Sequence, residues 1–397
     1  MHIGIFNSGL GIGGAERLII EEAAAFVERD YEVTIVTNVE SGSYYTKIGL
    51  PEDVQIYDFS STNSGGKANS FVSRVQYTID AVTDMDIDLA ISHAFEHELY
   101  IAKLLSKGPA YVCQIHGSPF WFPNDAMLLP HRRKFGCEEL ISSVTGHQQF
   151  HNFNEVSLKD RAKGEVGEYI RKNALEASEV NFVTSEQVQK EVSFLYEVDS
   201  EVSYGGVSQN WIDQKDSVET FALTDEANSI LTISRLEPRK RIDLLLHAFS
   251  ELRTQRADIG LVIGGVGEEE DNLHSLAADL EIDDVVKFAG YIPEEKLQSY
   301  YKSADVFACP GWMSYGLTPL EAYSLGTKIV LSSDAFVKEI LADQKGIRIA
   351  EPKINDWQQT LSKLIDTTIS ETNLNVIPTW TRWFQNREQV LEERGLI

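Results

Sequence analysis

The sequence predicts two doubly wound α/β domains, each built on a parallel sheet. Its 397 residues exceed what a single core comfortably organises. Short β-type runs alternate with helical patterns over nearly the whole chain, as crossover helices between parallel strands require. That rhythm lapses in "GGVSQNWIDQKDS", between Gly206 and Leu223, and then starts afresh. Residues 1–207 are therefore expected to form one domain and 208–375 a second. Residues 376–397 are expected to form a helix that packs back on the first.

In the first half, strand "HIGIFN" leads to helix "AERLIIEEAAAFVE" and strand "EVTIVT". After a Ser- and Gly-rich stretch come helix "NSFVSRVQYTIDAV", strand "DLAISH", helix "EHELYIAKLLS" and strand "AYVCQIH". Residues 117–163 carry no clean period. Helix "GEYIRKNALEAS", strand "VNFVTS" and helix "EQVQKEVSFLY" follow. The second series runs "SILTIS", "IDLLLHAFSELRTQ", "IGLVIGG", "EEDNLHSLAADL", "VVKFAG", "EEKLQSYYKSA", "DVFACP", "PLEAYSLG" and "KIVLSS", strand and helix in turn. The final amphipathic segment carries Trp380 and Trp383 near its start. Ligands of open α/β sheets bind beyond the carboxyl ends of the strands, so sites are sought there, in a cleft expected between the two domains.

A net charge of −26 argues against a nucleic-acid binder, because phosphate binding needs a positive field. An anionic ligand must instead be held by a few local cations and by backbone amides. The three cysteines, Cys113, Cys137 and Cys309, show no metal-binding spacing and read as idle thiols of a reducing compartment. No basic leader and no apolar run of membrane-spanning length are evident, so a cytoplasmic protein is expected.

After the first strand, "GLGIGGAERL" places Gly9, Gly11 and Gly14 in a G-x-G-x-x-G pattern, where backbone amides and a helix N-terminus can approach a phosphate. By itself this fits an NAD-dependent oxidoreductase with Glu40 as ribose partner, and equally a tight strand-to-helix turn. In the second half, Arg235 and Lys240 stand just past a strand end, placed for an anion. Arg239 and Arg241 are expected to be solvated. The stretch "GWMSYGLTPLEAYSLGT" opens a helix with Thr318 as N-cap, Pro319 next and Glu321 at the capping-box position. Glu321 can serve there as a cap or as acceptor for the hydroxyls of a ribose.

Together, "GIGGAER", "SRLEPRKRIDLLLHAF", "VKFAGYIPEEKLQSYYKSADVFACP" and "YGLTPLEAYSLGTKIVLS" resemble a GT-B glycosyltransferase of the retaining family-4 group. The resemblance spans both halves in order and is more specific in the second. It implies transfer of a hexosyl-type group from a nucleotide-diphosphate sugar to an acceptor hydroxyl, with no metal or other cofactor needed. It assigns Arg235 and Lys240 to the leaving diphosphate and Glu321, the second Glu of an E-x7-E motif, to the ribose. Gly290, Tyr291 and Ile292 would meet the base through backbone, and Gly13 and Gly14 would approach the phosphates and acceptor. Ser314, Tyr315, Gly316, Leu317 and Thr318 would contact the donor, and His116, ending "YVCQIH", would face the sugar. The departure is Met313, where the first Glu of the motif belongs, because methionine accepts hydrogen bonds only weakly. Gly265 likewise stands where an acid is common. A sugar-nucleotide-binding protein without turnover remains a second reading of Met313.

Two other patterns are weighed. "DMDID", with Asp84, Asp86 and Asp88, has the D-x-D spacing of metal-dependent transferases but precedes a strand, and is read as a polar lead-in. Residues 119–135 join aromatics to His131, Arg132, Arg133 and Lys134. They read either as a peripheral contact with an anionic inner membrane face or a lipid-linked acceptor, or as an ordinary covered loop.

Overall fold

The computed structural model describes residues 1–7, 14–37, 49–58, 71–106, 108–119, 158–369 and 372–397. It divides into two compact units, Met1–Tyr204 with Thr381–Ile397, and Gly205–Trp380. The boundaries differ from the expected 207/208 and 375/376. The main chain of Val207 lies parallel to Thr379, its N–H donating to Pro378 O at 2.9 Å, so the entering and leaving strands are held together in the second unit. Gly206 permits this, since a side chain there would strike the Thr379–Trp380 backbone.

The first unit holds β1 (His2–Asn7), α1 (Gly14–Val27), β2 (Glu32–Thr37), β3 (Gln55–Asp58), α2 (Phe71–Asp84), β4 (Leu89–His93), α3 (Glu96–Ser106), β5 (Ala110–Ile115), α4 (Leu158–Glu176), β6 (Asn181–Val183), α5 (Glu186–Tyr196) and β7 (Glu201–Val202). Its sheet runs β3-β2-β1-β4-β5-β6-β7 with every pairing parallel. All six residues of β1 are buried, as expected of a strand covered on both faces. Helix α4 starts earlier than its apolar pattern predicts, because its first turns are polar and carry no period. The "DMDID" turn serves β1: Asp88 Oδ2 accepts the His2 N–H at 2.8 Å, and Asp86 takes a left-handed conformation at φ 50°.

The second unit has β8 (Asn228–Ile233), α6 (Ile242–Arg253), β9 (Ile259–Gly264), α7 (Glu270–Asp279), β10 (Val286–Gly290), α8 (Glu294–Ser303), β11 (Val306–Cys309), α9 (Leu317–Ser324), β12 (Lys328–Ser332), β13 (Ile347–Ala350) and α10 (Ile354–Ile365). The sheet order is β10-β9-β8-β11-β12-β13, again all parallel. Alternation along the strands feeds two cores. Ile230, Leu261 and Val306 pack with Phe249 of α6 and Trp357 of α10 on one face, while Leu231, Val262 and Phe307 pack with Leu320 and Tyr323 of α9 on the other. The last helix, α11 (Trp380–Glu393), carries Phe384 edge-on against Phe26 of α1, with ring centroids 4.8 Å apart.

Replacing the fully buried Phe249 by Ala should cost about 3–5 kcal/mol, as aromatic truncation in a core does. Urea unfolding monitored by hydrogen exchange of β8 and β9 amides would register it in the second unit while leaving β1 and β4 unchanged.

Candidate functional site

Each sheet reverses its winding once, between β1 and β4 in the first unit and between β8 and β11 in the second. Chains leaving the carboxyl ends of such neighbouring strands diverge and open a crevice.

In the second unit, the segment after β8 meets the segment after β11. A Cβ on Gly311 would lie only 2.7 Å from the Lys240 Cα, and Trp312 N–H donates to Arg239 O at 3.1 Å. Lys240 is thereby held half-buried beside the chain that leads to α9. Burial, then the charge of Arg239, push its ammonium down to about 8, against weaker upward effects of Cys309 and Glu237. Arg235 remains 59% exposed, with Nη1 3.0 Å from Glu237 Oε1. The other two arginines of the run are not the solvated members that were expected. Arg239 binds Glu237 at 2.8 Å. Arg241, in a left-handed conformation at φ 49°, makes a two-pronged bond to Asp334 at 3.0 and 2.7 Å. That fork anchors the turn that carries Arg235 and Lys240.

The neighbouring strand ends complete this edge. Gly265 has φ 120°, and a side chain there would collide with the Ser234 carbonyl, so no acid fits. Its N–H donates to Gly290 O at 2.7 Å, which fixes the start of the 290–292 loop. Gly290 is itself left-handed at φ 63°, Tyr291 is exposed and Ile292 is buried over Gly264.

The loop after β11 corrects the expected capping box. The N-cap of α9 is Gly316, with no side-chain cap bond, and Thr318 lies inside the helix. The cause is the anchoring of the preceding residues. Tyr315 Oη donates to Gly205 O at 2.6 Å, and a Cβ on Gly205 would touch both Tyr315 and Leu317 at 3.3 Å. With these side chains committed, the helix begins before Thr318. Glu321 is therefore not a cap; its Oε2 accepts from Tyr301 Oη at 3.0 Å. Met313 is buried in the apolar cluster, its main chain paired with Ala335, and its sulfur occupies the space beside Gly316. Ser314 and Thr318 are half-buried at the same edge, and Thr318 hydrogen-bonds the Cys309 thiol, which burial pushes up to about 12.

In the first unit, His116 follows β5, and its Nε2 lies 2.8 Å from Nδ1 of His93, the last residue of β4. His93 Nε2 lies 2.7 Å from Glu22 Oε2 on α1, and Glu22 Oε1 accepts from Arg387 Nη2 at 2.5 Å. Burial works to raise the Glu22 carboxyl, but Arg387 and His93 outweigh it and hold it below its ordinary value. Burial, with His93 and Arg387 adding, drives His116 well below the ordinary imidazole value. Gly14 opens α1 and is exposed. Gly9, Gly11, Gly13, Glu40, Cys137 and residues 120–135 lie outside the described residues.

The model of the Glycosyltransferase Family 4 matches residues 12–210, and that of Glycosyl transferases group 1 matches residues 213–377. The chain belongs to glycosyltransferase family 4. The Anabaena protein Alr3699/HepE, solved with UDP, superposes with a TM-score of 0.71 at 15% identity over 99% of this chain and 100% of that one. The fold is thus the two-domain GT-B fold of family-4 enzymes. A D-inositol 3-phosphate glycosyltransferase of Frankia alni is 32% identical over 38% of this chain and 40% of its own length. An alpha-monoglucosyldiacylglycerol synthase of Streptococcus pneumoniae is 30% identical over 31% of this chain and 28% of its own. These matches span well under half of each curated relative.

Four residues bonded to the predicted site residues escaped the sequence reading: Glu22, His93, Arg387 and Tyr301. Glu22 and Arg387 left a signal, each being a charge on the apolar face of its helix: Glu22 beside Leu18, Ala23 and Phe26, Arg387 beside Trp383, Phe384 and Leu391. Among the described residues, no group of His, Cys, Asp or Glu is arranged to hold a metal.

Competitive acetylation followed by mass spectrometry should find Lys240 reacting with a midpoint near pH 8. Exposed lysines should titrate about two units higher. A midpoint above 10 would refute the desolvated setting of Lys240.

Proposed function

We propose that this family-4 protein transfers a hexosyl-type group from a nucleotide-diphosphate sugar to an acceptor hydroxyl, with retention of configuration. The observation that carries this reading is the convergence of Lys240 with the start of α9 across the Gly311 contact. A diphosphate at that edge would meet two cations and the N-terminal amides of a helix. As the glycosidic bond breaks, negative charge grows on the leaving diphosphate. Arg235 and Lys240 would stabilise it, an effect worth about 10²- to 10³-fold per donor group. We assign that neutralisation to these side chains and amides, without a metal ion.

Glu321 would accept hydrogen bonds from the ribose hydroxyls, oriented by the Tyr301 hydroxyl. The loop at Gly290, Tyr291 and Ile292 would meet the base, with Ile292 supplying an apolar floor. Because Met313 is turned into the core, the sugar would be oriented by backbone amides of Ser314, Tyr315 and Gly316. His116 would face the sugar, and Gly13 and Gly14 the phosphates and acceptor. The acceptor would be a glycan or lipid-linked hydroxyl, as the Streptococcus relative's name supports for its own reaction. Residues 119–135 would bring the protein to the inner face of a membrane, on the cytoplasmic side where nucleotide sugars are made. Among the described residues no helix is long and apolar enough to cross a membrane.

Calorimetric titration with UDP, GDP and NAD tests the donor class. UDP or GDP should bind, NAD should not, and Lys240→Ala should weaken the nucleotide at least tenfold. Affinity should fall as pH rises through about 8, because above that pH the free protein must take up a proton to restore the Lys240 charge. Unchanged affinity in Lys240→Ala would defeat the site assignment. Glu321→Gln should keep Tm within about 2 °C, since Gln still accepts from Tyr301, while transfer falls about tenfold or more. Full activity in that variant would remove Glu321 from the ribose.

A further inference from the structure

Four side chains, from α1, β4, α11 and the residue just past β5, form one continuous row in the first unit, buried up to the half-buried His116. Arg387 of α11 binds Glu22 of α1, Glu22 binds His93 at the end of β4, and His93 binds His116 beyond β5. Neither Glu22 nor His93 has any exposed side-chain surface, and Arg387 has 1%. Arg387 is further held by Gln114 Oε1 at 2.6 Å and Ser203 Oγ at 3.3 Å, and it lies 3.9 Å over the Phe182 ring.

Charge in this sealed space decides where the protons sit. The guanidinium is a permanent cation and already balances the Glu22 carboxylate. A second cation beside them would have no counter-charge, so His93 is neutral. Its one N–H points to Glu22 from Nε2, because a carboxylate only accepts. Nδ1 of His93 is then an acceptor, and the hydrogen at 2.8 Å belongs to Nε2 of His116. His116 is left with Nδ1 as its acceptor nitrogen. We infer that Arg387 is a positioning residue that sets the proton polarity of His116, so that Nδ1 of His116 carries a lone pair and not a proton. Without the guanidinium, Glu22 would draw a second proton onto His93. The His93 imidazolium would then donate from Nδ1 to His116 Nε2, and His116 would present an N–H instead of a lone pair. No bond is made or broken in this step beyond the relocation of protons along the row. The consequence for the sugar rests on the proposed placement of His116; the proton order itself does not.

The test is 15N NMR of the histidine rings in the full-length, unliganded protein, with His93 and His116 assigned from His93→Gln and His116→Gln. In the parent protein both rings should be neutral with the proton on Nε2. In Arg387→Met, His93 should carry protons on both nitrogens and His116 should move its proton to Nδ1. Should Arg387→Met fold poorly, Glu22→Gln/Arg387→Met removes both charges together and should restore the parent pattern, since Gln still accepts from His93. A parent protein with an Nδ1–H tautomer at His116, or a doubly protonated His93, overturns the inference. So does a pattern unmoved by Arg387→Met. Transfer from the nucleotide sugar that binds should fall at least about tenfold in Arg387→Met with little change in KM, and recover in the double variant. The expected spectra with undiminished transfer would overturn the sugar-facing role of His116 while upholding the proton order.

Discussion

A carboxylate and a guanidinium separated by 365 positions meet at 2.5 Å where water does not reach. Removing both ions from water costs several kcal/mol each, and their attraction offsets this only when the remaining donors and acceptors are satisfied. Here Gln114, Ser203 and His93 take all of those places but one, the Phe182 face covers the guanidinium, and Arg387 Nε is left without a hydrogen bond. The pair therefore constrains far more than two residues. It fixes the last helix on the first unit, it requires β4 and β5 to end where their side chains close the ring, and it leaves no room for a third net charge. Apolar residues of the same volume would serve packing as well or better. What they could not do is orient a row of imidazoles that runs from the end of β4 to the residue just past β5.

The second unit meets its constraint with backbone instead of buried charge. Gly265 and Gly311 let the segments after β8, β9 and β11 approach more closely than side chains would allow, and Gly290 gives the segment after β10 its left-handed turn. The result is one edge where Arg235, Lys240 and the start of α9 converge, with Arg241 locked to Asp334 beneath them. Locking one arginine keeps the turn in place. Arg235 and Arg239 share the one carboxylate of Glu237, and Arg235 keeps more than half of its side chain exposed.

Much of this was legible in the sequence, because parallel strands buried on both faces leave unmistakable apolar runs and their helices a clear period. Short elements without a period, β3, β7 and β13, were not legible; each holds four residues or fewer. Local rules failed where a distant partner decided the outcome. The Thr318 capping box lost to Gly316 because Tyr315 is tied to Gly205, 110 positions away. Arg241 looked solvated because Asp334 could not be seen from the run itself, whereas the partner of Arg239, Glu237, stood two residues away within it. Glu321 and Lys240 were singled out through motif spacing, whereas Tyr301, which hydrogen-bonds Glu321, sits at an ordinary core position of α8. Glu22 and Arg387 broke the apolar pattern of their helices, and only the fold reveals that the two exceptions answer each other.

Met313 draws these strands together. A carboxylate at that position would face Leu320 and Ala335 within the apolar cluster and would need a partner there. Methionine instead fills the space beside Gly316 with its sulfur, while its main chain pairs with Ala335 and accepts from Phe336 N–H at 2.9 Å. The loop is thus pinned at both ends, by Met313 to the 335–336 turn and by Tyr315 to Gly205. A pinned loop presents its amides in one arrangement, and amides donate where a carboxylate would accept. In the proposed reaction, a sugar read at this edge must therefore offer acceptors, lone pairs of hydroxyl or ring oxygens, where a carboxylate would call for hydroxyl donors.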